Sequence, residues 1–217
     1  MTTFPERLQS LHSRTPDRVA LTLQFSNTDD LSLTVDQLLR GASSYARALT
    51  LANIQPGEVV VLILQHGEEL VYAFWGAILH GAIPSIMPFL TEKLSPERYR
   101  ADLSALISVT QPAAIVTYPE FESEVHGALQ GGDSVREVIV TNKVEKQVEL
   151  NFDSLTGFQR QPEDIVILQH SSGTTGLQKG VALSHQAVFN QLDAYSNALN
   201  LNENDVVVSW LPLYHDM

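Results

Sequence analysis

The 217-residue sequence contains no cysteine. That excludes a disulfide framework, a cysteine zinc site and a thiol nucleophile. Positive charge is scarce: 13 Lys and Arg stand against 25 Asp and Glu, a formal net charge of −12. Gripping nucleic acid by its phosphates takes a basic face, so no nucleic-acid partner is expected. Long hydrophobic runs are missing too. The longest helix-like apolar segment, Leu70 to Leu79, is about half the ~20 residues that span a bilayer, so no membrane span is expected. The opening Met1-Thr2-Thr3-Phe4-Pro5-Glu6-Arg7 lacks a signal-peptide apolar stretch, and no Asn-x-Ser/Thr sequon occurs. A cytoplasmic protein is the expectation. There is no internal repeat, low-complexity tract or clear linker.

What is present is globular in composition, with 44% apolar and 18% charged residues. Helix-like and strand-like segments alternate. Phe4 to His12 reads as a helix with Pro5 in its first turn. Val19 to Phe25 and Leu31 to Leu33 read as strands about a turn at Asn27–Asp30. Thr34 with Gln37 forms a capping box that opens a helix running to about Ala52. Val59 to Leu64 is a continuous apolar run, the signature of a strand buried on both faces.

Helices then follow at Gly67–Gly81, Pro96–Thr110 and Glu120–Leu129, with strands at Ile83–Met87, Ala113–Thr117 and Glu137–Val140. Residues 142–162 are polar and weakly patterned, a surface excursion. Beyond them come a strand (Asp164–Leu168), a loop (Ser171–Gly180), a short strand (Val181–Leu183), a helix (His185–Leu199) and a strand (Val206–Trp210). The alternation predicts an α/β fold, a largely parallel sheet flanked by helices on both faces.

The loop carries the chemistry. Ser171-Ser172-Gly173-Thr174-Thr175-Gly176-Leu177-Gln178-Lys179-Gly180 combines four hydroxyls, three glycines and a lysine. Glycines let backbone approach a ligand closely, and their N–H groups and the hydroxyls can point at anionic oxygens. From Gln161 to Met217 there are six acidic residues, and Lys179 is the single Lys or Arg. Such a loop suits a polyphosphate. The plain alternative on composition is a surface turn. The spacing does not fit a Walker P-loop, a dinucleotide Gly-x-Gly-x-x-Gly or a Gly-x-Ser-x-Gly elbow.

This loop resembles the phosphate loop of the adenylate-forming (AMP-binding) superfamily, Ser/Thr-Ser-Gly-Ser/Thr-Thr-Gly-x-Pro-Lys-Gly-Val. Residues Ser171 to Val181 match ten of the eleven positions, with Gln178 in place of proline. The tail Trp210-Leu211-Pro212-Leu213-Tyr214-His215-Asp216-Met217 is similar to the next motif, in the form seen in acyl-CoA synthetases and fatty acyl-AMP ligases. Weaker likenesses lie at Arg14–Leu21, Gln55–Val60 and Gly76–Pro84.

The resemblance implies ATP-dependent activation of a carboxylic acid, most simply a fatty acid. An acyl-AMP forms, pyrophosphate leaves, and a thiol accepts the acyl group. ATP with Mg²⁺, and CoA or phosphopantetheine as acceptor, would be the cofactors. A small-molecule carboxylate and an acyl carrier protein would be the partners. Ser171, Ser172, Gly173, Thr174, Thr175, Gly176 and Lys179 would cradle the β- and γ-phosphates. Lys179 and His215 would be the catalytic residues, with His215 near the carboxylate and α-phosphate.

No protein metal ligand set is expected. The other histidines (His12, His66, His80, His126, His170 and His185) read as structural, Phe74 and Trp75 as core, Tyr214 as packing, and Arg98 and Arg100 as a solvated helix face. The resemblance makes residues 1–217 the first part of a large N-terminal domain. The family's Gly-x-Thr-Glu segment, ribose-gripping Gly-Asp pair and C-terminal lysine do not occur here, so these residues alone are expected to adenylate little or nothing. The alternatives are a non-catalytic phosphate- or nucleotide-binding module and an amino-acid-activating adenylation domain.

Overall fold

Four parallel strands form the centre of the computed structural model, which describes residues 2–89, 95–171 and 179–214. In spatial order they are β4 (Ile83–Ile86), β3 (Val59–Ile63), β5 (Ala114–Thr117) and β6 (Glu137–Val140). The register pairs Val60 with Pro84 on one side and with Ala114 on the other. The apolar run Val59–Leu64 takes the central position because it is the segment able to bury both faces. Val60, Val61, Leu62 and Ile63 have no exposed surface. Each such side chain contributes roughly 1.5–3 kcal/mol of burial.

Alternation sorts these side chains. Val60, Leu62 and Leu64 face Tyr45 and Leu49 of α2 (Val35–Leu51) and Leu70, Ala73 and Ala77 of α3 (Glu68–His80). Val61 and Ile63 face Leu103 and Ile107 of α4 (Pro96–Thr110) and Val125 and Ala128 of α5 (Glu122–Ala128). The expected α/β sandwich, helices on both faces, is the fold observed. Helix α1 (Phe4–Arg14) packs outside α2 and α3 through Leu8, which meets Leu39, Ala42 and Leu79. Phe74 and Trp75 are partly buried against these two helical clusters, as core residues.

Local signals set the element ends. The Thr34 hydroxyl accepts from the Gln37 N–H at 3.2 Å, and the Gln37 side-chain oxygen accepts from the Thr34 N–H at 2.9 Å. That is the anticipated capping box, and α2 starts at the next residue. Helix α3 ends at Gly81, whose φ of +87° is open to glycine at no steric cost. The Gly81 carbonyl then accepts from the Gly57 N–H at 2.8 Å, locking the 54–58 turn to the end of α3.

Two antiparallel pairs flank the sheet. β1 (Val19–Leu23) pairs with β2 (Leu31–Thr34), and β7 (Ile165–Ser171) pairs with β8 (Lys179–Ser184). β7 lies against β4. Residues 142–162 form short 3₁₀ turns, and Leu155 is buried with the α1–α2–α3 cluster.

Two expectations are corrected. Val206–Trp210 is not a strand: it pairs with no described strand, and Val206, Val207, Val208 and Trp210 are 71–87% exposed. Arg100 is not merely solvated. Its Nε donates to Glu124 Oε2 at 2.7 Å and its Nη2 to Glu124 Oε1 at 3.1 Å, a forked pair that ties α4 to α5.

Candidate active site

The β7–β8 hairpin sets the phosphate loop. Its register brings Ser171 opposite Lys179 and His170 opposite Gly180. Ser171 and Lys179 are therefore backbone neighbours at the two ends of the loop, rather than points along it. Ser172, Gly173, Thr174, Thr175 and Gly176 lie outside the described residues. Helix α6 (His185–Leu199) leaves the hairpin at Ser184, whose hydroxyl accepts from the Ala187 N–H at 3.1 Å. His185 is buried, and its Nδ1 accepts from the Phe4 N–H at 3.2 Å, with the Phe4 ring stacked on Phe189 at 4.4 Å. His185 thus anchors the N-terminus to the hairpin's exit, in keeping with a structural histidine.

His170 stands one residue before Ser171 and is 9% exposed, and among the described residues neither ring nitrogen has a hydrogen-bond partner. Burial pushes its pKa below the ordinary imidazole value.

The 205–214 tail reaches the sheet from the far end of α6. The Leu213 N–H donates to His66 Nε2 at 3.3 Å. The Tyr214 ring stacks on the His66 ring at 5.7 Å and 15°, and Phe89 stands edge-on to both. Tyr214 packs, as expected. His66 follows the carboxyl end of β3 by three residues, and Phe89 follows that of β4 by three. His215 and Asp216 lie outside the described residues, immediately after Tyr214.

A crevice of about 390 Å³ is lined in part by His66. Gln65, Gly67, Tyr118 and Thr141 line it, following the carboxyl ends of β3, β5 and β6. From β3 the chain crosses to β4 on one side and then returns to β5 on the other, so this is a topological switch point, where open α/β sheets place ligands. Sequence reasoning missed the crevice, because strand order is not written in periodicity. Among the described residues its lining carries Glu68, Glu69 and Glu120 and no Lys or Arg. That charge disfavours a polyphosphate, which leaves the Lys179 loop as the better match to one. The Tyr45 hydroxyl donates to Glu69 at 2.5 Å and the Tyr72 hydroxyl to Glu68 at 3.2 Å. Burial, reinforced by these carboxylates, pushes both phenols up.

Among the described residues no group of three or more His, Asp or Glu is arranged to hold a metal ion. No described helix is long and apolar enough to cross a membrane. The donor set of the loop fits a nucleotide triphosphate: hydroxyls and glycine amides for oxygens, and one lysine for charge.

Comparison with known proteins decides the family. The profile of the AMP-binding enzymes matches residues 8–217. The chain belongs to the AMP-binding enzyme family. It is 31% identical over 183 residues to 4-coumarate–CoA ligase CCL1 of Humulus lupulus, an alignment that covers 78% of this chain and 32% of that one. It is also 31% identical over 182 residues to 4-coumarate–CoA ligase 3 of Oryza sativa subsp. japonica, covering 78% and 31%.

Among solved structures, a fatty acyl-adenylate ligase from L. pneumophila in complex with acyl adenylate and pyrophosphate superposes with a TM-score of 0.81 at 22% identity, covering 99% of this chain and 36% of that one. The adenylation domain of a keto acid-selecting NRPS module gives 0.79 at 20% identity, covering 99% and 38%. These two likenesses establish the fold. The chain spans about a third of the length of the curated relatives it matches.

Proposed function

We propose that this AMP-binding chain is the first part of the large N-terminal domain of an acid–thiol ligase. The ligase joins a carboxylic acid to the α-phosphate of ATP, releases pyrophosphate, and passes the acyl group to CoA or to the phosphopantetheine of an acyl carrier protein. The observation that carries this is the family match over residues 8–217 together with a hairpin that closes a hydroxyl-, glycine- and lysine-bearing loop between Ser171 and Lys179.

The reaction needs the leaving pyrophosphate neutralised and the carboxylate held in line; the covalent chemistry resides in the nucleotide. In this reading Ser171, Ser172, Gly173, Thr174, Thr175 and Gly176 cradle the β- and γ-phosphates, and Lys179 offsets their charge. Mg²⁺ arrives on those phosphates. His215, as a neutral imidazole, donates a hydrogen bond to a carboxylate oxygen. The acid in this reading is a fatty acid, from the likeness of the tail motif; the relatives named as 4-coumarate–CoA ligases support an aromatic acid as the second reading. The enzyme works in the cytoplasm.

The test is ATP–pyrophosphate exchange with a panel of fatty, aromatic and amino acids, using the complete gene product beside the 217-residue chain. Acid-dependent exchange by the complete product, with little from the short chain, is the expected result. ATP binding without exchange for any acid would favour a nucleotide-binding module instead.

A further inference from the structure

The amides at the start of helix α1 have no partners within the helix, and each finds an acceptor elsewhere. The Glu6 carboxylate accepts from the Thr3 N–H at 2.8 Å, and the Thr3 hydroxyl accepts from the Glu6 N–H at 3.5 Å. Pro5 has no N–H to satisfy. That leaves Phe4, whose partner comes from 181 residues away: its N–H donates to His185 Nδ1 at 3.2 Å. A side chain of α6 therefore caps α1. The Phe4 ring, stacked on Phe189, also lies 5.7 Å from the rings of Trp75 and His185.

The two sides of this contact are held independently. His185 is fixed by its own corner: its N–H donates to the Asp164 carbonyl at 3.2 Å, and the Gln186 N–H donates to the Pro162 carbonyl at 2.9 Å. Neither bond involves α1. The other end of α1 is tied to α2, where His12 Nε2 lies 2.9 Å from Asp36 Oδ1.

The Phe4 bond demands one protonation state. Nδ1 accepts only while it carries no proton, so the ring must be neutral. A proton there sets one N–H against another and puts a positive charge at a helix N-terminus, which the macrodipole disfavours. Among the described residues, the charged groups acting on the ring are Arg160 and Asp164, from the segment before β7, and Glu6, from α1. The first turn of α6, His185-Gln186-Ala187-Val188, adds none. Burial first, then Arg160, pushes the His185 pKa down; Asp164 and Glu6 push it up, and the downward effects win. A proton on His12 strengthens its contact with Asp36, so acid acts in opposite senses at the two ends of α1.

We infer that the Phe4–His185 contact is a proton-operated latch: a neutral His185 holds the first turn of α1 on the β8–α6 corner, and a protonated His185 releases it while α2 stays folded. The latch rests on this geometry and not on the ligase reading. An opened His185 regains an imidazole value near ~6.5, above its closed value, so opening takes up a proton and is favoured as pH falls. From about pH 7.5 to about pH 5.5, one such proton raises the opening constant by about tenfold.

Amide hydrogen exchange by NMR on the 217-residue chain tests it, with protection factors corrected for the intrinsic pH dependence of exchange. Over that range the Phe4 amide should lose about tenfold in protection, while Leu39, buried in α2, keeps its own. In His185→Asn, whose side-chain oxygen reaches to about the place of Nδ1 and does not titrate, Phe4 protection should change less than about twofold. Should His185→Asn not fold, wild type alone decides: the midpoint of His185 ring charging, read from its Cε1 proton, must coincide with that of the Phe4 loss. Constant Phe4 protection in wild type overturns the latch. So does an equal loss in His185→Asn, which would assign the proton to another group, and so do separate midpoints. Parallel losses at Phe4 and Leu39 overturn it too, because the release would then be global unfolding.

Discussion

Replacing Gly76 by alanine probes how the helical layer over the sheet is built. Gly76 lies inside α3, where alanine should gain roughly 0.8–1 kcal/mol of helix propensity. Packing opposes that gain. A Cβ at Gly76 would stand 2.5 Å from Tyr45 Cβ, 2.6 Å from the Ala42 carbonyl oxygen and 3.2 Å from the Ala46 nitrogen, all on α2. Comfortable contact lies near ~3.5–4.0 Å, so α2 and α3 would have to part by about 1 Å.

None of these obstacles is the free end of a side chain, and Ala42 and Tyr45 are 0% and 2% exposed. The cost therefore belongs at the upper end of the roughly 1–3 kcal/mol seen for overpacked cores. Subtracting the propensity gain leaves a net loss of about 1–2 kcal/mol, or a Tm lowered by roughly 2–8 °C for a chain of this size. Thermal and urea denaturation followed by far-UV circular dichroism measure it. Gly131→Ala is the control, because a Cβ there meets nothing within 4 Å. A Gly76→Ala protein as stable as wild type, or more so, would refute the account of this helix crossing.

Other outcomes follow from caps and buried titrating groups. Thr34→Ala removes one half of the capping box and should cost about 0.5–2 kcal/mol, read from the urea midpoint; no change would mean the box is ornamental. Stability should also fall in acid in two stages. Burial lowers the pKa of His80 and of His185, so their contribution is complete above the unfolded value near ~6.5 and is lost as pH falls through the lowered folded value. Hydrogen bonds, from Arg40 to Asp36 and from Arg136 to Glu58, lower those carboxyls; their contribution is complete above ~4 and is lost below it. The urea midpoint should hold from pH 8 to 7 and decline below about 6.5. His80→Gln, which keeps a donor for the Ile54 carbonyl, should flatten the first stage. A flat midpoint down to pH 5 would contradict the burial assignment.

Much of the fold is written locally. The Val59–Leu64 run, the Thr34–Gln37 box and the Gly57 and Gly81 turns each carry their own instruction, and each stands where its chemistry predicts. Strand order is not local: nothing in the sequence of β5 says that it returns to the far side of β3. The same gap explains Val206–Trp210. A β-branched run favours extension, but a strand exists only beside a hydrogen-bonding neighbour, and this segment meets none among the described residues. Arg100 reads as solvated because its partner, Glu124, belongs to another helix.

At the proposed site, the loop is read from residue types and spacing that would suit a polyphosphate. The hairpin that brings Ser171 opposite Lys179 is a tertiary result, as is the bond between His66 and Leu213. The burial of His170, whose ring nitrogens have no partner among the described residues, likewise appears only once β7 and its neighbours are packed.

The central claim is that Lys179 serves acyl adenylation. Its most direct test is acid-dependent ATP–pyrophosphate exchange by the complete gene product, wild type against Lys179→Ala. Losing a dedicated charge-stabilising group should lower the rate by about 100- to 1,000-fold in a protein that still unfolds at the wild-type urea midpoint. Exchange at the wild-type rate in Lys179→Ala would contradict the claim.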